Sequence, residues 1–451
     1  MLSRFRCRAP LLALDTPGLS QLLPLAIKAA QGHSAAYSSQ PLPPASGPLV
    51  GIKVLDLGQV VAGNFAGGLL AYFGAEVIKI EPPNRGDALR HLREADASGT
   101  SLWWRSYGRN RRCMTIDLHN EEGRQLVRQL SDKVDVLVEN FRPGVMEKWK
   151  LGPSDLKPEL VYTRISGYGQ TGPKAQLPGY ASVCEAFGGF RYLNGYPDRA
   201  PVRPNISLGD SLAGLHAAFG TVMALLHRTR SGAGASGQVS AACAVQVVDA
   251  AITESMFNML EGCVPEYAAH GVVRPPSGST LTGVVPSGTW RAKDGVFVVI
   301  GGNGNSVYNR LISAMGRPDM GIENERYATD AKRCEHEKEI VDVIEGWVAS
   351  NTSEQVMAAM NAARVPAGPI LSTADIAAEP QYQERGMLQK TAPPSGGQEV
   401  TVPAMLPVLS ATPGGTRWAG PELGEHTDDI LRSELGLGDA EIQRLRDCGA
   451  I

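Results

Sequence analysis

The chain has 451 residues, 43% of them hydrophobic, and a formal net charge of −3. That is room for two domains around large apolar cores, and the balanced charge argues against a nucleic-acid partner. Seven scattered cysteines, with no Cys-x-x-Cys pair or His companion at zinc spacing, exclude a disulfide frame or zinc site; no apolar run approaches the ~20 residues that cross a bilayer, so no membrane span is expected.

Residues 1–48 differ from the rest. Arg4, Arg6, Arg8 and Lys28 face one acid, Asp15, among leucines, alanines and serines. That is the composition of a mitochondrial transit peptide, with a cut after Tyr37 and a matrix destination. A disordered tail is the plainer alternative. Pro41–Pro48 reads as a linker, so the fold should begin near Val50.

From there strands and helices alternate. Ile52–Leu57, Glu76–Ile80, Met114–Ile116, Val134–Val138 and Val161–Ile165 are short apolar runs of the kind found in buried parallel strands. Ala62–Tyr72 and Glu121–Leu130 carry helical spacing between them. The pattern predicts βαβ units and an α/β fold with a parallel sheet, whose ligands bind beyond the carboxyl ends of the strands. After a long helix that follows Asp210, Gly232–Gly237 is a loop, Gln238–Ser240 a strand, and a second long helix should run to Gly262. Thr289–Arg291 and Gly295–Ile300 then form an antiparallel pair, with helices near 306–315, 337–349 and 353–363. The expected organisation is a large domain over 49–265, a smaller α+β domain over 266–375, and a C-terminal segment, 376–451, that returns to the large domain.

The candidate reactive group is Asp210, in Asn205-Ile-Ser-Leu-Gly-Asp-Ser-Leu-Ala-Gly. It is the only formal charge from Ile206 to Leu226, at the head of an apolar helix crowded with glycine and alanine. Helix N-termini favour a carboxylate. The bland alternative makes Asp210 or Ser211 an N-cap. Asn140 and Phe141 end a strand, where an amide and a stacking face can meet a ligand. Gly301-Gly302-Asn303-Gly304-Asn305 follows another strand and can present bare N–H groups to an oxyanion or thioester, or be an ordinary turn. Arg105, Arg109, Arg111 and Arg112 suit phosphates or carboxylates, or are a solvated loop. His426 sits before a C-terminal helix start. A P-loop, HExxH and GxSxG are missing from the sequence, and Gly58-Gln-Val-Val-Ala-Gly63 after the first strand is not the GxGxxG of a dinucleotide site. A lone carboxylate can still act as a nucleophile on an activated acyl group.

Jointly, these residues resemble the class III CoA-transferase (CaiB/BaiF) family over nearly all of the chain after residue 49. The resemblance rests on Gly51-Ile-Lys-Val-Leu-Asp-Leu, Phe73-Gly-Ala-Glu-Val-Ile-Lys-Ile-Glu, Gly86-Asp-Ala-Leu-Arg, Asp135-Val-Leu-Val-Glu-Asn-Phe-Arg-Pro-Gly, Gly167-Tyr-Gly-Gln-Thr-Gly-Pro and Leu423-Gly-Glu-His-Thr. It implies a Rossmann-like CoA-binding domain in an interlocked homodimer. Asp210 would form an acyl anhydride and then an aspartyl-CoA thioester, with acyl-CoA and a carboxylic acid as substrates and no tightly bound cofactor or metal. CoA contacts would fall on Gln59, Val61, Ala62, Ile116, His119, Asn140, Phe141, Lys148 and Tyr180. Gly301, Gly302, Asn303 and Gly304 would cover the intermediate.

Val61 stands where the family often has Gln, and Asn303 and Asn305 depart from formyl-CoA transferases; both point away from oxalate and formate. The mitochondrial subgroup that moves CoA from succinyl-CoA to glutarate or 3-hydroxy-3-methylglutarate resembles this chain most, and Arg109 is the expected cation for the far carboxylate. The alternatives are an α-methylacyl-CoA racemase, disfavoured because Tyr180 replaces the racemase histidine, and a non-catalytic CoA-binding relative.

Overall fold

The computed structural model describes residues 47–231 and 246–451. The expected transit peptide, most of the linker after it, the Gly232–Gly237 loop and the Gln238–Ser240 strand lie outside these residues.

Six strands form one parallel sheet: β1 (Lys53–Asp56), β2 (Glu76–Glu81), β3 (Arg111–Thr115), β4 (Val136–Glu139), β5 (Val161–Ser166) and β6 (Val247–Ala251). Their order is β3-β2-β1-β4-β5-β6. Leu55 of β1 sits opposite Ile78 on one side and Leu137 on the other. The chain reverses its direction of travel across the sheet between β1 and β4. Their carboxyl ends therefore frame a crevice, where sheets of this order bind ligands. Strand residues such as Val54, Leu55, Leu137 and Val138 are covered on both faces, which explains their unbroken apolar runs.

Helices α1 (Ala62–Tyr72) and α4 (Leu208–Arg230) cover one face, and α2 (Glu121–Ser131) helps cover the other. Between α2 and α4 lies the short helix α3 (Ala181–Phe187). Asn120 caps α2 by accepting from Glu122 N, and Glu121 and Glu122 complement the helix dipole. Leu126, Val127 and Leu130 fall on the buried side.

By length and composition α4 could cross a membrane, yet it packs against α1, β5 and β6 as a core helix. The small residues of α4 let it approach α1 closely. A Cβ on Gly214 would stand 2.6 Å from the Ala62 carbonyl oxygen, backbone that cannot swing aside.

Two expectations are corrected here. The third strand starts at Arg111, three residues early, because Arg111 is buried in an ion pair with Asp56 and Arg112 pairs with Glu434, instead of both lying in a solvated loop. The long helix expected up to Gly262 is interrupted: Val247–Ala251 pairs with β5 as the sheet edge, and only short helices follow, Ile252–Phe257 and Cys263–His270. Val247 and Val248 fit a strand once β5 supplies a partner.

The second, smaller sheet is antiparallel: β7 (Ser287–Arg291), β8 (Phe297–Gly301) and β9 (Ala367–Pro369). With α5 (Asn305–Ala314), α6 (Glu337–Ser350) and α7 (Ser353–Ala362) it encloses its own core around Trp290, Ile300, Leu311 and Ile344. A further hairpin, β10 (Leu388–Thr391) with β11 (Val400–Pro403), precedes two C-terminal helices, α8 (Thr427–Leu435) and α9 (Asp439–Asp447). Ile430, Leu431, Ile442 and Leu445 of those helices join the core under the parallel sheet.

Candidate active site

The loop after β1 is shaped by its neighbours. Gly58 N donates to Asp56 Oδ1 at 2.8 Å. The Asn140 amide grips Gln59 at both ends, accepting from its N–H at 2.7 Å and donating to its carbonyl at 2.8 Å. Asp87 accepts from Val60 N at 3.0 Å and from Asn64 Nδ2 at 2.6 Å. Val60 is thereby held at φ +62°, a conformation that costs a β-branched residue about 1–3 kcal/mol. Behind it, Lys79 pairs with Asp87 at 3.5 Å, both fully buried.

Next to this loop lies a cavity of about 180 Å³. The loops after β1, β4 and β5 line it, together with Tyr180, Ile252 and Asp210. Asp210 occupies the first turn of α4. It is not an N-cap: Ser207 holds that position, and no side-chain cap bond forms there. Burial, and then the charge of Glu185, push the Asp210 carboxyl up to about 6, while Arg203 pulls it down. It remains a carboxylate above that pH.

A second cavity of about 390 Å³ shares Gln59, Val60 and Phe141 with the first. Its wall carries an aromatic ladder: Phe141 meets Trp149 edge-on at 5.2 Å between ring centroids, and Trp149 meets His119 at 5.7 Å. Ile116, Arg85 and His91 also line it. Glu139, behind Phe141, accepts from Phe141 N at 2.7 Å and from Arg164 Nε at 2.7 Å. The two adjoining spaces offer stacking faces and the basic Arg85 and His91 in the larger, beside Glu81 and Asp117, and the Asp210 carboxylate in the smaller.

The structure thus brings Gln59, Val61, Ala62, Asn140, Phe141 and Tyr180 to the Asp210 cavity, and Ile116 and His119 to the adjoining one. Asn140 sits there with its amide already engaged by Gln59, so it shapes the loop. Lys148 is exposed and lines neither cavity; the neighbouring Trp149 does. Gly301, Gly302, Asn303 and Gly304 connect β8 to α5 and line neither cavity in the single chain. Gly302 N donates to Pro286 O at 2.8 Å, and a Cβ there would strike Leu311 and Pro286. Gly304 needs its positive φ of +79°.

Arg109 is corrected. It is buried, its guanidinium donating to Ser106 O at 2.5 Å, Ser106 Oγ at 2.7 Å, Pro403 O at 2.6 Å and Thr416 Oγ1 at 3.2 Å. Burial lowers its pKa to about 10. No substrate carboxylate can reach it without breaking those bonds. Its companions are internal too: Arg105 pairs with Asp96 at 2.6 Å, Arg111 with Asp56 at 2.5 Å and Arg112 with Glu434 at 2.6 Å. His426 accepts from Cys113 N at 3.2 Å through Nδ1 and secures the C-terminal segment.

Trp149, Arg85, His91 and Glu185 were missed in the sequence. Only Trp149 carried a local signal, an aromatic residue just past a strand-end loop.

Residues 49–427 match CoA-transferase family III. A succinyl-CoA–D-citramalate CoA-transferase of Chloroflexus aurantiacus is 41% identical over 402 residues, 88% of this chain and 97% of that one. A succinyl-CoA:glutarate CoA-transferase of Mus musculus is 30% identical, covering 90% of each chain. The crystal structure of a CaiB/BaiF family protein from Brucella suis superposes with a TM-score of 0.74 at 30% identity, covering 86% of this chain and all of that one.

Proposed function

Because this chain belongs to CoA-transferase family III, we propose that it moves CoA from succinyl-CoA to a short dicarboxylic acid with Asp210 as the nucleophile. The observation that carries this reading is the Asp210 carboxylate itself. It lines a cavity at the sheet crevice and accepts no hydrogen bond among the described residues. A carboxylate so placed is poorly solvated and therefore reactive toward a thioester.

An Asp210 oxygen attacks the acyl carbon, the C–S bond breaks, and CoA leaves as its thiolate with the bonding electron pair. The thiolate then attacks the Asp210 carbonyl of the mixed anhydride and releases succinate, leaving an aspartyl-CoA thioester. The acceptor carboxylate displaces the thiolate from that thioester to form a second anhydride. The thiolate returns to the acceptor's acyl carbon and regenerates the Asp210 carboxylate. One thioester replaces another, so no outside energy source is needed. The aromatic ladder, Arg85 and His91 would receive the nucleotide end of CoA.

Succinyl-CoA as donor is supported by the names of both relatives. Citramalate and glutarate, their respective acceptors, are both short dicarboxylates, and citramalate belongs to the relative of higher identity. We propose a homodimer as well. Leu215, Phe219, Val222 and Leu226 leave an exposed apolar row on α4, beside a groove of about 490 Å³ that Leu406 and Pro407 help line. A second copy would cover it and could bring a glycine loop to the site. The basic, acid-poor stretch 1–48 would direct the chain to the mitochondrial matrix; a fluorescent fusion of these residues that stays outside mitochondria would refute that.

The deciding experiment incubates wild type and Asp210→Ala with succinyl-CoA and either D-citramalate or glutarate. Product acyl-CoA from wild type only, with a hydroxylamine-sensitive adduct on Asp210, is the expected result. If wild type exchanges no CoA but labels the α-carbon of a branched acyl-CoA in deuterium oxide, the racemase reading replaces transfer.

A further inference from the structure

Asp210 has a second acid behind it. Glu185, on α3, is fully buried. Its Oε1 accepts from Gly209 N at 3.1 Å, one residue before Asp210. Its Oε2 has no hydrogen-bond partner. The nearest cation, Arg191, holds its Nε 3.8 Å away, too far for a hydrogen bond, and that Nε is itself unpartnered. Gly209 is shaped around this acid: a Cβ there would meet Glu185 Cγ and Ile252 Cγ2, each at 3.1 Å. A buried carboxylate left half-satisfied is costly, and a native fold that keeps one needs a reason.

We propose that Glu185 is a positioning residue for the nucleophile: it anchors the first turn of the Asp210 helix through Gly209, and its charge makes the resting Asp210 carboxylate more reactive toward the thioester. This rests on the reading of Asp210 as the nucleophile. Asp210 is anionic only in the resting enzyme. Once an Asp210 oxygen bonds to the acyl carbon and the thiolate departs with the C–S electrons, the charge beside Glu185 is gone. A negative neighbour therefore favours acylation over the resting state.

The groups facing Asp210 are few. Glu185 and Cys184 come from α3 and Arg203 from the loop before α4, with the Tyr180 phenol at the start of α3. Burial pushes the Cys184 thiol up to about 11, so it is neutral. Arg203 opposes Glu185 from an exposed position, tied to the Ile206 carbonyl at 3.2 Å. The loops after β1, β4 and β5 bring no charged side chain to the cavity.

The test uses the full-length protein and succinyl-CoA. Glu185→Gln keeps a carbonyl oxygen for Gly209 N and removes the charge. Expected is roughly tenfold slower Asp210 acylation in a single turnover, by intact mass. The acid limb of kcat/KM should move to lower pH, with thermal melting and CoA affinity close to wild type. Glu185→Asp keeps the charge but loses the reach to Gly209; its acid limb should stay in place while kcat falls. Acylation by Glu185→Gln at the wild-type rate with an unmoved acid limb overturns the proposal, as does a Glu185→Asp limb that moves with that of Glu185→Gln. Wild type that forms no adduct at Asp210 instead sinks the nucleophile reading itself.

Discussion

Two of the regions where this molecule buries charge treat it in opposite ways. In the Arg105–Arg112 stretch the guanidiniums are met by acids and carbonyls: Asp96 and Gly420 O for Arg105, Asp56 and Asn64 for Arg111, Pro403 O and Ser106 for Arg109. At the head of α4, Asp210 accepts no hydrogen bond among the described residues, and its neighbour Glu185 leaves one oxygen empty. In the sequence one is a cluster of arginines and the other a lone acid in an apolar run, and neither pattern says which charge is partnered. The difference is in what surrounds them: charge that the fold has partnered is architecture, and charge it leaves uncompensated is available for chemistry.

The comparison breaks most sharply at Asp210. Asp210→Asn should abolish CoA transfer, a loss of at least ~10³-fold, yet make the protein more stable. The folded carboxyl sits at about 6 against its ordinary 3.8, so the native state binds that proton more tightly than the unfolded chain does. The charge therefore costs stability in full above about pH 6 and nothing below about pH 4. Urea unfolding at pH 7.5 should show Asp210→Asn about 1–3 kcal/mol more stable, with no gain at pH 4. A destabilised variant at pH 7.5 would place Asp210 among the architectural charges.

Arg111→Ala should do the reverse, because Asp56 is left buried without its partner. The expected loss is about 3–5 kcal/mol, read by the same unfolding curves. A loss under about 1 kcal/mol would mean that the arginine cluster is not structural.

Gly214→Ala forces α4 away from the Ala62 carbonyl and should cost about 1–3 kcal/mol. A neutral result would show that the helix pair tolerates separation.

Arg109→Ala should lower stability by about 1–3 kcal/mol and leave KM for dicarboxylates within about twofold. A tenfold rise in KM with unchanged stability would return Arg109 to the substrate.

The smallest effect concerns pH. kcat/KM should fall tenfold per unit below about pH 6, as Asp210 takes up a proton. Arg203→Gln, which removes the opposing cation, should move that limb upward by a few tenths of a unit, because solvent screens an exposed charge. A downward movement would mean that the limb belongs to another group.

Much of the fold was legible because its signals are local. Helix α1 runs over Ala62–Tyr72, as its small-residue spacing predicts, and the strands through β5 fall within a few residues of their apolar runs. The Asp210 helix, the Asn140–Phe141 strand end and the β7–β8 pair were visible for the same reason. β6 was hidden, since Val247–Ala251 becomes a strand only by pairing with β5. The β10–β11 hairpin gave no clear pattern of its own.

What the sequence by itself determined was the alternation of strand and helix, the acid at the head of α4 and the family to which both belong. Local spacing and residue type carry that information. Only the tertiary structure decided which charges are free. Arg105 finds Glu422 and Gly420 more than three hundred residues away, and Arg109 finds Pro403, while Asp210 finds the buried Glu185, opposed only by the exposed Arg203. A side chain's electrostatic fate depends on the groups folded against it, and those come from anywhere in the chain.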